Sequence, residues 1–276
     1  MKHYYRCVEG DVICILVDEY ILEQCEEKID FVLNSFLTLP SYSFGDYNVH
    51  YFYIIQEKDK NKYSAENSYA MNNIDDDKWI LELINDLDVF FTNVLKCTVL
   101  HGSCIKIDSK NILLLGERWS GKTTLTYFLT TSCDGEYISD DCVYIVNKQY
   151  YGFGTPLPIR NMDNVNSQHK QHILTSVLDS DNVLRTLLLP PKTIESVLNI
   201  DIVLFPQYAP NDKSELIKIS PSEAFRKIIK NVHSFSNMGK MYQDIVELSN
   251  NTRCFLMTYP DSQTAYNLLN DYVLKI

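Results

Sequence analysis

The sequence predicts an α/β protein: a mixed, partly antiparallel sheet built around the helix that follows one glycine-bounded loop, with a smaller α/β domain ahead of it. Three observations predict this. Short apolar runs such as "DVICILV", "ILLL", "VYIVN", "IDIVLF" and "RCFLMTY" have the length and β-branched content of strands. Segments with helical spacing lie between several of them, as in "SPSEAFRKIIKNV". In addition, "LLLGERWSGKTTLTYFL" (113–129) carries an apolar strand through a glycine loop directly into an apolar helix.

Residues 1–97 make up the smaller domain in this reading. "DVICILV" and "NVHYFYIIQ" are strands, the second followed by a charged turn, "EKDKNK". "KNKYSAENSYAMNNIDDD" is a polar loop. Trp79, Ile80, Leu83, Ile84, Leu87, Phe90 and Val94 then recur at helical spacing, behind aspartates that suit a helix N-terminus.

The larger domain spans residues 98–276. "TVLHGSCIKID" and "ILLLGE" pair across a turn at "SKN", and the helix "GKTTLTYFLTT" stops near Gly135. "EYISDDCVYIVN" is strand interrupted by two acids, "VYIVNKQYYGFG" is a hairpin turning at Asn147-Lys148, and "TPLPIR" is extended. Residues 161–190 show no strong period and read as loop with some helix. "IDIVLFPQY" is a strand, and a helix follows with Ser220 at N-cap, Pro221 at N1 and Glu223 at N3. A helix over "MYQDIVELSN", the strand "RCFLMTY" and a helix starting from Asp261 complete the chain.

The 276 residues suit one large domain with a smaller companion, and 45% hydrophobic content is enough for a substantial core. A formal net charge of −11 argues against nucleic acid as a partner, because backbone phosphates call for clustered Lys and Arg. The 8 cysteines include no C-x-x-C pair and sit largely in apolar stretches, which points to reduced thiols rather than zinc or a disulfide framework. The N-terminus lacks a secretory apolar stretch, and no run approaches the roughly 20 apolar residues of a membrane span. The expectation is a cytoplasmic protein with no membrane partner.

Gly116, Glu117, Arg118, Trp119, Ser120, Gly121, Lys122 and Thr123 fit G-x-x-x-x-G-K-[ST] at every fixed position. In such a loop the glycines let backbone N–H groups curl around phosphate oxygens. The lysine reaches the β and γ phosphates of ATP, and the threonine hydroxyl can ligate Mg²⁺. Thr124 opens the helix. Asp140 and Asp141 end a strand after that helix, where one acid can serve the metal and the other can accept a proton from an attacking hydroxyl. His101 lies on the strand entering the loop, where adjoining strands would bring it near these acids. Arg160 is the candidate cation for charge on a transferring phosphoryl group, with Arg185 the second choice. Trp119 reads as a packing residue.

"LHGSCIKID…ILLLGERWSGKTTL…GEYISDD" resembles the catalytic domain of HPr kinase/phosphorylase and its wider group, some of which phosphorylate ribosomally made precursor peptides of the lasso type. The resemblance covers about residues 98–146 and implies an HPr-kinase type P-loop domain that uses ATP and Mg²⁺. Carried onto matching positions, it gives Lys122 and the loop backbone to the phosphates, Thr123 and Asp140 to Mg²⁺, and Asp141 to the serine hydroxyl as base. His101 would orient that base. The chain departs from the family at Trp119, where HPr kinases carry a third glycine, and in lacking their glycine-rich signature downstream.

The expected function is therefore ATP-dependent phosphorylation of a hydroxyl, on Ser or Thr of a peptide or protein. A small-molecule kinase and a nucleotide-binding regulatory module without transfer are the alternatives. The 1–97 domain is expected to recognise the substrate, with "NVHYFYIIQ" taking an extended peptide by strand addition if it is a sheet edge. The same domain could instead shield the core or join copies into a homo-oligomer. On this reading residues 1–75 are dispensable for ATP binding.

Overall fold

The computed structural model describes residues 1–33, 37–38, 48–64, 67–71, 77–160, 167–179, 182–194, 196–197 and 199–274. Strands β1 (Lys2–Val8) and β2 (Asp11–Val17) close on Glu9 and Gly10, whose φ values of 50° and 90° supply the twist of a two-residue hairpin. Helix α1 (Glu19–Val32) starts where the Asp18 carboxylate accepts from the Tyr20 N–H, and it buries Ile21, Cys25, Ile29 and Val32. Strands β3 (Leu37–Thr38), β4 (Asn48–Gln56) and β5 (Ser68–Met71) complete a five-stranded sheet in the order β3-β1-β2-β4-β5.

This corrects three expectations. β1 and α1 are absent from the sequence reading. The polar loop over 60–77 contains β5, while its residues 65–66 and 72–76 lie outside the described residues. "NVHYFYIIQ" is β4, an interior strand: β2 pairs it from Asn48 to Ile54 and β5 covers Tyr53–Gln56 on its other side. Strand addition onto an open β4 edge is therefore excluded for Tyr53–Gln56, the stretch β5 already pairs.

Helix α2 (Lys78–Leu95) buries Trp79, Ile80, Leu83, Leu87, Phe90 and Phe91, and Lys96 at φ 47° ends it. The expected aspartate start differs in detail. Asp77 caps nothing with its side chain; it binds the Lys28 ammonium and the Thr175 hydroxyl instead.

Strand β6 (Thr98–Ile107) turns at Asp108 and Ser109, φ 46° and 64°, into β7 (Lys110–Leu115), one residue earlier than "SKN". Helix α3 (Lys122–Ser132) follows the glycine loop. Then come β8 (Glu136–Ser139), β9 (Cys142–Val146) and β10 (Gln149–Tyr151), the last two joined at Asn147 and Lys148 as expected. β11 (Leu157–Ile159), β12 (Ile173–Leu178) and β13 (Leu184–Leu188) form a separate sheet in the order β11-β13-β12. Ile173–Leu178 and Leu184–Leu188 are thus paired strands rather than loop, the expected helix is one short 3-10 turn over Ser167–His172, and residues 161–166 and 180–181 lie outside the described set.

The remaining elements are β14 (Ser196–Val197), β15 (Ile202–Tyr208), β16 (Glu215–Lys218), α4 (Pro221–Ile229), β17 (Val232–Phe235), α5 (Met238–Asn251), β18 (Arg253–Tyr259) and α6 (Ser262–Leu269). Ser220 caps α4 and Asp261 caps α6, as their sequences require. The large sheet runs β14-β10-β9-β6-β7-β15-β18-β16, with β8 and β17 also pairing to β6. β7, β15 and β18 are parallel, which matches their continuous apolar runs. Alternation along β7 divides the core. Leu113 and Leu115 pack with Ala224, Ile228 and Ile245 of α4 and α5, whereas Ile112 and Leu114 pack with Leu125, Leu129 and Leu269 of α3 and α6.

β6 is the strand that matters for the site. Its first half, Thr98–His101, pairs with β9, and its second half, Gly102–Ile107, pairs with β7. The change of partner falls at His101-Gly102.

Candidate active site

The Gly116–Thr123 loop joins the end of β7 to α3. Gly121 has φ 93°, and a Cβ there would stand 2.2 Å from the Tyr259 hydroxyl, so the position admits only glycine. Gly121 brings no side chain to cap α3, so the first-turn N–H groups keep the unsatisfied donors that favour an anion. Ser120 Oγ is buried with no hydrogen-bond partner inside the loop. The Tyr208 N–H donates to the Ser120 carbonyl at 3.0 Å and holds the loop against β15. Lys122 is buried, and its ammonium donates to the carbonyls of Gly116 at 2.7 Å and Glu117 at 3.2 Å. Burial lowers its pKa, and the Arg160 charge adds to this against the opposing pull of Asp140 and Asp141.

Asp140 and Asp141 form the junction of β8 and β9, and the structure gives them opposite surroundings. Asp140 is 2% exposed. Its carboxylate accepts from the Thr123 hydroxyl at 2.7 Å and from the Ser103 hydroxyl. Burial, and then the neighbouring Asp141 charge, push its pKa up to about 7. Asp141 has φ 66° and an exposed side chain, and its carbonyl accepts from the Gly102 N–H at 3.2 Å. That backbone bond ties the acid pair to the partner change in β6.

His101 Nδ1 lies 4.0 Å from Asp141 Oδ1, too long for a hydrogen bond. Burial and the Lys122 charge hold its pKa below the ordinary value, so the ring is neutral at pH 7 and the contact is not an ion pair. Gly102 lets β6 lie close on β7 at this point, because a Cβ there would meet the Leu114 carbonyl oxygen at 2.6 Å.

One cavity of about 1100 Å³ is lined by His101, Arg118–Thr124, Asp140, Asp141 and Arg160. Its size exceeds the roughly 300–1,000 Å³ usual for a small-ligand pocket. Residues of α2, the β12–β13 pair, Tyr208 and Pro260 also line it. Gly116 and Glu117, expected in the binding set, stand behind the lining, where their carbonyls hold Lys122. Trp119 is not a packing residue: it is exposed, and the Arg160 guanidinium lies 3.8 Å from its ring centroid. Arg185 lines the cavity while bonded to Asp179 at 2.7 Å through Nε.

The residues fit ATP and Mg²⁺. Ser120 Oγ is an orphaned polar atom in an anion-favouring loop, and Asp140 is a buried carboxylate beside the Thr123 hydroxyl whose desolvation the Lys122 charge offsets only in part. Among the described residues no group of three or more His, Cys, Asp or Glu could hold a metal ion.

Sequence reasoning missed Ser103, Asp88 and His233. Ser103 was within reach, since it lies two residues from His101 on the same strand face. Asp88 of α2 accepts from the Tyr144 hydroxyl and from the Cys142 thiol at 3.3 Å, and burial pushes its pKa up to about 6. No local signal separates it from the other acids of that helix.

All eight cysteines are free, and among the described residues no helix is long and apolar enough to cross a membrane. No family model and no curated protein matches this chain. Among solved structures, the chain is similar to the HPr(Ser) kinase/phosphatase from Coxiella burnetii, with a TM-score of 0.30 and 11% identity over 64% of this chain and 91% of that one.

Proposed function

We propose that this protein transfers a phosphoryl group from ATP to a hydroxyl, on Ser or Thr of a peptide or protein. The observation that carries the reading is the division of labour between adjacent acids: Asp140 is buried on Thr123 at 2.7 Å, and Asp141 is exposed beside a neutral His101. Binding alone needs the first acid only; transfer to a hydroxyl needs the second.

In this reading Lys122 leaves the Gly116 and Glu117 carbonyls for the β and γ phosphates. Thr123 and Asp140 would hold Mg²⁺, which would supply neutralisation of phosphate charge. The Asp141 carboxylate takes the acceptor's hydroxyl proton as its oxygen bonds to the γ phosphorus and the bridging P–O bond breaks toward ADP. His101, carrying no charge, stands beside Asp141 where the acceptor hydroxyl would meet it. Arg160 stabilises charge on the moving group. The acceptor takes the part of the cavity that α2 and the β12–β13 pair line, a reading supported by the cavity reaching beyond the loop residues.

The test is incubation with Mg²⁺-ATP and candidate peptides, reading phosphate mass gain on Ser or Thr. Lys122→Ala should abolish that gain and weaken ATP binding. Phosphorylation of free serine or a sugar with no peptide modified would move the reading to a small-molecule kinase. Full ATP affinity and turnover in Lys122→Ala would end it.

A further inference from the structure

Trp119 occupies a backbone conformation that does not suit it. Its φ of 73° lies in the left-handed region, which is strained for a bulky side chain and free for glycine. Burial does not compensate, since the residue is 67% exposed. What the position does secure is the Arg160 guanidinium, 3.8 Å from the ring centroid and well within cation–π reach. Arg118 approaches the same ring at 6.0 Å. Arg160 Nε is buried with no hydrogen-bond partner, whereas Arg185 is anchored on Asp179. Among the described residues, the stack on Trp119 is therefore a contact that holds Arg160. Arg160 and Lys122 line the same cavity and feel each other's charge, so the two cations converge beside the loop.

We propose that Trp119 is a positioning residue that holds Arg160 against the γ-phosphate of a nucleoside triphosphate, so that the stacked pair distinguishes triphosphate from diphosphate. The inference rests on the nucleotide-binding reading above. Lys122 serves both nucleotides through the β-phosphate, but only a triphosphate extends far enough to meet a second fixed cation. Local strain is retained where it places a working group.

Equilibrium dialysis with Mg²⁺-ATP and Mg²⁺-ADP tests this without any acceptor. The wild type should bind ATP at least roughly tenfold more tightly than ADP, the low end for a charge-assisted bond. Arg160→Ala and Trp119→Gly should each bring that ratio to about one and leave ADP affinity within about twofold, while Trp119→Phe restores discrimination. The double variant should be no worse than either single one, because the two act as a unit. Trp119→Gly should melt within a few degrees of the wild type, since relieved strain offsets the freer unfolded chain, and this separates lost placement from lost fold. A wild-type ratio in Trp119→Gly, or an Arg160→Ala loss that Trp119→Gly does not share, overturns the proposal. ATP binding that is absent, or indifferent to Lys122→Ala, would sink the nucleotide site itself and this inference with it.

Discussion

Asp140 carries a cost that shows in the protein's response to pH. An unfolded aspartate releases its proton near about 4, while burial delays release in the fold to about 7. Over that window the folded form holds the extra proton, so stability falls as pH rises from about 4 to about 7, and the penalty is full above it. Asp140→Asn should therefore raise the melting temperature at pH 8, change it little at pH 4, and weaken Mg²⁺-dependent ATP binding. A lower melting temperature at pH 8 would contradict the burial account. Asp141→Asn, at an exposed position, should leave melting and ATP affinity nearly unchanged and slow transfer by roughly 10²–10⁴-fold. Reversed phenotypes would exchange the two roles. Lys122, Thr123 and the acid pair were legible in the sequence because their chemistry depends on short local spacing. Asp88 and the Trp119–Arg160 stack were not, because residues distant in sequence define them.

At the scale of elements, Gly102 is the most demanding position. A Cβ there would meet Leu115 Cδ2 at 2.5 Å and the Leu114 carbonyl oxygen at 2.6 Å, and the backbone atom cannot step aside. Gly102→Ala should cost about 1–3 kcal/mol, read as a lower melting temperature. It should also reduce turnover, because His101 and the Gly102 N–H bond to Asp141 shift together. Unchanged melting would show that β6 and β7 have slack the close contacts deny. The parallel strands β7, β15 and β18 were legible because burial on both faces leaves continuous apolar runs. β12 was not, since five of its six residues, all but Val177, are half-buried or exposed, which leaves no buried face to pattern the sequence. α1 was a missed signal: Ile21, Cys25, Ile29 and Val32 recur at helical spacing amid acids and were passed over.

On the scale of the molecule, the division near residue 97 is a boundary of sheets and not of cores. One apolar cluster joins Tyr4, Ile13, Ile29 and Phe52 to α2 and continues through Val99, Tyr144, Phe153 and Leu187. Arg6 adds to the join, its guanidinium 4.6 Å from the Phe153 ring centroid. Deleting residues 1–75 would bare this cluster, contrary to the expectation that they are dispensable for ATP binding. The truncated chain should aggregate or lose its cooperative melt, as checked by light scattering and calorimetry. A soluble truncation with wild-type ATP affinity would restore the view of two independent units.

Because β6 changes partners at His101-Gly102, the site lies where the β9 side and the β7 side of the large sheet meet, and neither side can hold it alone. No partly folded form with one side of that sheet intact can keep a working pocket. Activity should then disappear as a single step in chemical denaturation, along the same curve as the tertiary signal, and return only when the whole sheet has reformed. The chemistry thereby reports on the integrity of the entire chain.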